Sequence, residues 1–251
     1  EAGGAGTAEA RAAAAGSALE SLAADDRLLN RRSELQDRLH RQKSVRREAS
    51  FAHATLEQVA QVLDNGRPSN AADLWALTVD LLNRISREIR DGATSDWRQY
   101  WNVDKDNKAV TPKPENGCRD ALLSDLRREL TPLGIDGVRE GSYKDDKRAD
   151  IRLSVPGVNI PIEIKRSCHR DWWSSIKTQL IAKYTCDPGT DGYGIYLVFW
   201  FGETEGCGRE PASGRKPKSP DDIRQALLGA LNNRERQKIS VCVIDVSKPE
   251  A

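Results

Sequence analysis

Methionine is absent from the 251-residue chain, even at its first position, so we expect a fragment of something longer or a processed product. Paired cysteines are missing too. The five cysteines (Cys118, Cys168, Cys186, Cys207 and Cys242) are odd in number, and none has Cys-x-x-Cys spacing. That excludes a disulfide framework and a zinc site, and points to reduced thiols in a cytoplasmic protein. There is no apolar run long enough to cross a bilayer and no signal peptide, so no membrane partner is expected. Net charge is nearly absent: 39 Lys and Arg stand against 38 Asp and Glu, leaving +1 and no global basic field.

What is present divides the chain. Residues 1–17 are rich in Ala and Gly, and 18–64 read as a long charged helix broken at Asn65-Gly66-Arg67-Pro68. Ser69 or Asn70 caps a second helix, whose stripe of Leu74, Leu77, Leu81, Leu82, Ile85 and Ile89 stops before Gly92. The aromatic segment 95–103 suits a short helix packed on the next domain, and 105–115 is a linker by composition. We therefore expect a helical arm over 1–104 and an α/β domain over 105–251. Within the latter the order reads αβββαβ followed by αβ, with helices at 115–133, 171–184 and from 219. The strands fall at 135–141, 147–155, 158–166, 192–202 and 239–246. Strand 192–202 is apolar on both faces, hence central in a mixed sheet.

The stretch RADIRLSVPGVNIPIEIKR carries the chemistry. Ile151, Leu153 and Val155, then Val158, Ile160, Ile162 and Ile164, recur every second residue around a Pro156-Gly157 turn. Counting outward from that turn sets Asp150 opposite Glu163, with Lys165 one pleat further on the same face. Facing carboxylates repel, so either this is a polar sheet face in water or a cation sits between them: the lysine, or a divalent ion such as Mg²⁺ or Mn²⁺, which takes oxygen ligands. Glu115 heads the column of Leu122, Leu126, Leu130 and Leu133, which aims a third carboxylate inward. Arg119, one turn later, is placed for a phosphate or for Glu115. Further on, Trp172, Ile176, Gln179 and Lys183 share a helix face, while Trp173, Ile176, Leu180 and Tyr184 form a packing face. Trp172 and Trp173 suit core or interface anchors, and less often base-stacking platforms. A local basic cluster surrounds the hairpin: Lys147, Arg148, Arg166 and Arg170, then His169, Lys177 and Lys183.

Asp150, then Glu163-Ile164-Lys165, after a helix bearing Glu115 and within αβββαβ, resembles the PD-(D/E)XK nuclease superfamily, whose fold is restriction-endonuclease-like. The match covers residues 113–202 and extends toward 247. The resemblance implies Asp150, Glu163 and the Ile164 carbonyl as metal ligands. It implies Lys165 as the group that orients the attacking water, and Glu115 as a further ligand. It also implies nucleic acid as substrate, DNA favoured over RNA. Gln179 resembles the glutamine of the superfamily's exonuclease branch, although the aromatic expected four residues later is Lys183, with Tyr184 one place late. Ala149 stands where the pattern has Pro. The segment 167–201 resembles C-terminal modules of large bacterial proteins, some linked to antiviral defence. On that reading the helical arm joins the nuclease to an upstream sensor, and a homodimer is compatible. Two other readings stay open: a nuclease-like fold that holds nucleic acid without cutting it, and a helical interaction protein with a supporting α/β domain.

Overall fold

The computed structural model describes residues 67–143, 148–169, 172–211 and 213–249, and within 15–60 it describes 15, 16, 18, 19, 21, 22, 25–49, 55–57 and 60. Lys147 and Arg170 lie outside the described residues. The chain forms two compact units, Glu1–Glu57 and Gln58–Ala251. In the first, a 3-10 segment Asp26–Arg31 leads into helix α1, Arg32–Ala49. Leu28 has non-helical φ/ψ (−112°, 21°), so the continuous helix expected over 18–64 is interrupted there.

The second unit opens with α2, Ala71–Asp91. Asn70 caps it by accepting the Asp73 N–H at 2.9 Å. The predicted stripe is buried apart from the half-buried Leu77: Leu74, Leu81, Leu82, Ile85 and Ile89 share one core with Ile160, Ile162, Ile164, Leu197 and Phe199 of the main sheet. An apolar sheet face needs a cover, and α2 supplies it. The division expected at residue 105 therefore runs through a single core. The stretch expected to be a linker is half of a hairpin: β1, Trp101–Val103, pairs with β2, Ala109–Pro112. Asp104 closes its turn by accepting the Asp106 and Lys108 N–H groups, with Asn107 at φ 60°. The Trp101 indole donates to the Val246 carbonyl at 2.7 Å, which ties this hairpin to the last strand's end.

The remaining elements follow in the expected order, and the domain is mixed α/β. They are α3 (Glu115–Leu130), β3 (Asp136–Ser142), β4 (Arg148–Val155), β5 (Val158–Arg166), α4 (Trp172–Ser175), β6 (Gly194–Trp200), α5 (Pro220–Gly229), α6 (Asn233–Arg236) and β7 (Ile239–Asp245). The sheet order is β3-β4-β5-β6-β7, antiparallel from β3 to β5 and parallel from β5 to β7. The β4–β5 hairpin has the two-residue turn, with Val155 opposite Val158, Ile151 opposite Ile162, and Gly157 at φ 80°. Helices α2 and α3 cover one sheet face, and α4 and α5 pack on the other.

One element departs from expectation. After Ser175 the chain winds as a nine-residue π-helix, Ile176–Tyr184, instead of continuing as an α-helix. Its buried stripe is Trp172, Ile176, Leu180 and Tyr184, at strict intervals of four. An α-helix, at 3.6 residues per turn, turns such a stripe away from a flat sheet. A wider helix holds it closer to one side. Thr178 and Thr185 hydroxyls also bond the carbonyls four residues back, at 3.1 Å each.

Candidate active site

The site lies where β4 and β5 part. Their ladder ends at Ile151 opposite Ile162, and beyond it β5 pairs, among the described residues, only with β6. Asp150 closes the fork: its Oδ2 accepts the Ile164 backbone N–H at 2.8 Å, in place of a β4 carbonyl. Glu163 and Lys165 flank Ile164 on the face shared with Asp150, and both are buried (3% and 6% exposed). Burial of a charged pair on a strand is unusual and demands partners.

Those partners converge on one atom. Lys165 Nζ stands 2.8 Å from Glu163 Oε1, 3.1 Å from Glu115 Oε1, 2.8 Å from the Ile164 carbonyl and 4.0 Å from Asp150 Oδ2. Glu115 comes from the first turn of α3, whose Leu122, Leu126 and Leu130 are buried as the column predicted. Of the two cations that the facing carboxylates admit, the lysine holds the centre here. No three His, Cys, Asp or Glu side chains among the described residues are arranged around a metal position. The donor set is nonetheless all oxygen, three carboxylates and a carbonyl, which suits a hard cation and no soft one.

The electrostatics follow from burial. Desolvation pushes the Glu163 carboxyl up to about 8, and the Asp150 charge pushes the same way against Lys165. Asp150 is raised for the same first reason, opposed by Lys165 and by the Ile164 N–H. The Lys165 ammonium is held well above its ordinary range: burial opposes its charge, but Glu163, Asp150 and Glu115 outweigh that. One ammonium thus stands among three carboxylates, and burial holds the two on the sheet above the ordinary carboxylate range.

The other anticipated residues divide. Arg119 is buried on α3, but it bonds Asp120 (3.0 Å) and Glu140 (3.2 Å) and not Glu115. Arg148 is exposed and shares Glu140 at 3.5 Å. Lys177 is ion-paired with Glu235 across to α6. Arg166 donates to the Lys113 carbonyl at 3.0 Å, while His169 is exposed beyond it and Lys183 is half-buried. Gln179 is half-buried on the π-helix, and no hydrogen bond among the described residues joins it to Asp150, Glu163 or Lys165. Bonding from i to i+5 stacks residues five apart, so Tyr184 lies one turn beyond Gln179. The Tyr184 hydroxyl donates to the Arg148 carbonyl at 2.7 Å, two residues from Asp150, and the Glu163 and Asp150 charges raise its pKa together with the larger effect of burial.

Sequence reasoning missed Glu140, the shared partner of Arg119 and Arg148. It sits on β3 in the left-handed region (φ 50°), a strained conformation for a residue with a side chain. The available signal was Gly141 beside it, where a Cβ would meet the Arg152 Cβ at 2.2 Å. No protein-family model, curated protein or solved structure matched the chain.

Proposed function

We propose that this chain is a metal-dependent nuclease, hydrolysing phosphodiester bonds in nucleic acid, DNA in preference to RNA. The carrying observation is the convergence of Glu115, Asp150, Glu163 and the Ile164 carbonyl on a buried lysine at the fork between β4 and β5. The αβββαβ order, and the sheet that is antiparallel up to β5 and parallel after it, support the restriction-endonuclease-like core that the Asp150…Glu163-Ile164-Lys165 pattern resembles. The π-helix supports the same reading. It returns Tyr184 to one turn after Gln179, the relation that four-residue spacing gives in an α-helix.

Asp150, Glu163 and the Ile164 carbonyl would hold Mg²⁺ or Mn²⁺, with Glu115 as a further ligand. Such an ion supplies Lewis acidity toward a phosphate oxygen and a more acidic bound water. The chain's own groups do the rest. Asp150 is fixed by the Ile164 N–H, with the same oxygen 4.0 Å from the Lys165 ammonium. Lys165 brings a permanent positive charge to the position where a phosphorane's charge would develop. Glu163, whose carboxyl burial and the Asp150 charge hold well above the ordinary range, would be ionised by a bound cation and so take up its ligand role.

The rival, a fold that binds nucleic acid without cutting it, draws on the same lysine: its ammonium already bonds Glu163 and the Ile164 carbonyl, two of the proposed ligands. The deciding experiment incubates the protein with plasmid, linear duplex, single-stranded DNA and RNA, in Mg²⁺, Mn²⁺ or EDTA. Metal-dependent cleavage that Asp150→Ala, Glu163→Ala and Lys165→Ala each remove is the expected result. Full activity in EDTA or in Asp150→Ala overturns the proposal.

A further inference from the structure

A second group of positive charges in the α/β domain lies apart from the hairpin, where several of the anticipated cations are paired. Arg119, Arg148 and Lys177 each face a carboxylate. Arg215, Lys216 and Lys218, in the loop between β6 and α5, are exposed and enter no ion pair among the described residues. They line a cavity of about 580 Å³ together with Trp173. Two acids border it: Asp222 accepts the Lys218 and Ser219 N–H groups at the start of α5 and feels the Lys218 charge, and Glu210 accepts the Ser213 hydroxyl.

Trp173 is built as a platform. One ring face stacks on the buried Trp172, with centroids 3.6 Å apart and planes 28° apart. Its indole N–H is directed at the Gly208 carbonyl, 3.4 Å away. The ring is half-buried and borders the cavity. A rigid aromatic surface beside unpaired cations is the combination that holds a base and its neighbouring phosphates.

The cavity also lies at the functional end of the sheet. Glu163 and Lys165 are near the C-terminal end of β5, and the loop of Arg215 to Lys218 follows the C-terminal end of β6. The Ser167 N–H donates to the Phe199 carbonyl at 2.9 Å, and the Phe201 N–H lies 3.4 Å from the Ser167 hydroxyl, so the two exits are joined. Ligands of open α/β sheets bind beyond such carboxyl ends.

We propose that this cavity binds single-stranded nucleic acid, one base stacked on Trp173 and the backbone phosphates on Arg215, Lys216 and Lys218. A paired, stacked base cannot reach a lone indole, which makes the ligand single-stranded. The inference deepens the nuclease reading and rests on it for the substrate class.

The test is binding of fluorescein-labelled oligo-dT and oligo-U in EDTA, where no metal-dependent cleavage occurs, followed across salt concentrations. The double variant Lys216→Glu, Lys218→Glu changes only exposed side chains. It should weaken binding and lower the salt slope by about 1.4, the value for two lost single-strand phosphate contacts. Trp173→Ala should weaken binding about tenfold or more, and Trp173→Phe should restore most of it. Equal loss with dT and U identifies shared single-strand chemistry, and a loss confined to one identifies its sugar or base. Unchanged affinity and slope in the charge-reversed variant overturn the proposal, as does duplex DNA that binds as tightly as oligo-dT. Oligonucleotide binding lost in the double variant, with no cleavage by wild type in Mg²⁺, keeps the cavity and removes the nuclease. Cleavage in Mg²⁺ with the double variant still binding normally does the reverse.

Discussion

Asp150 Oδ2 accepts the Ile164 N–H at 2.8 Å, and this one bond makes the site. It replaces the backbone partner that Ile164 loses when β4 leaves β5. The strands can therefore diverge without an orphaned donor, since a buried N–H left unpaired costs roughly 1–3 kcal/mol. The opening that results receives Glu163, Lys165 and, from α3, Glu115.

Glu115 is the most exposed of the three carboxylates, at 29% of its side chain, and bonds Lys165 at 3.1 Å. We predict that Glu115→Gln leaves stability within about 1 kcal/mol of wild type, as a part-exposed ion pair should. Turnover should fall strongly. Denaturant melts and initial rates on a cleaved substrate read the two effects separately. Normal turnover in the variant would remove Glu115 from the site.

A pH dependence follows from Glu163. Its folded pKa is raised by burial to about 8, against the ordinary 4.5. Between those values the folded chain binds more protons than the unfolded one, so stability is greatest at the acid end and declines as pH rises through the window. Asp150, also raised, adds to the decline. The raised Lys165 contributes nothing here, since its charge is lost only far into alkali. We predict that the melting temperature in EDTA drops from pH 5 to pH 8 and that Glu163→Gln flattens the curve. A wild-type curve already flat over that range counts against a buried, proton-holding Glu163.

Truncation tests the domain boundary. A fragment that begins at residue 105 loses Leu74, Leu81, Leu82, Ile85 and Ile89 of α2, together with Tyr100 and Trp101. Each aliphatic contributes roughly 1.5–3 kcal/mol on burial, and together they rival the 5–15 kcal/mol or so that holds a domain folded. We predict that this fragment is insoluble, while one beginning at Gln58 unfolds in a single cooperative transition. Circular dichroism melts of the two decide it.

How far the sequence could be read depended on how local the cause was. The β4–β5 register was legible because alternation and a two-residue turn fix it within twenty residues. Glu115 was legible because its column of leucines is one helix long. The boundary was not: the stripe of α2 announces a buried face, but nothing local says that the buried face meets β5 and β7. Nor was the linker at 105–115, where Asp104 and Asn107 make a hairpin turn that composition alone reads as a loop. The π-helix escaped because a four-residue stripe fits two helix widths. The basic cluster was legible by composition, but the pairing of Arg148 with Glu140 and of Lys177 with Glu235 depends on long-range packing.

The last prediction concerns the two cations that the fork admits. Lys165 Nζ bonds Glu163 and the Ile164 carbonyl, both proposed metal ligands, so an incoming Mg²⁺ competes with the ammonium for them. Lys165→Met removes the competitor and keeps the aliphatic bulk. In EDTA it removes the counter-charge nearest Glu163 and Asp150, and breaking such a buried pair costs about 3–5 kcal/mol. The variant should melt well below wild type there. Added Mg²⁺ should stabilise it by more than it stabilises wild type, for which a hundredfold excess over the dissociation constant contributes about 2.7 kcal/mol. Asp150→Asn runs the other way. Its amide oxygen can still accept the Ile164 N–H, one of two facing negative charges is gone, and a ligand is gone with it. That variant should melt as high as wild type or higher in EDTA, and gain less from Mg²⁺. Thermal melts of the three proteins, with and without Mg²⁺, therefore give an ordered series of gains: Lys165→Met above wild type above Asp150→Asn. Equal gains in all three would place the cation outside this fork, and the lysine would then be the counter-ion at its centre.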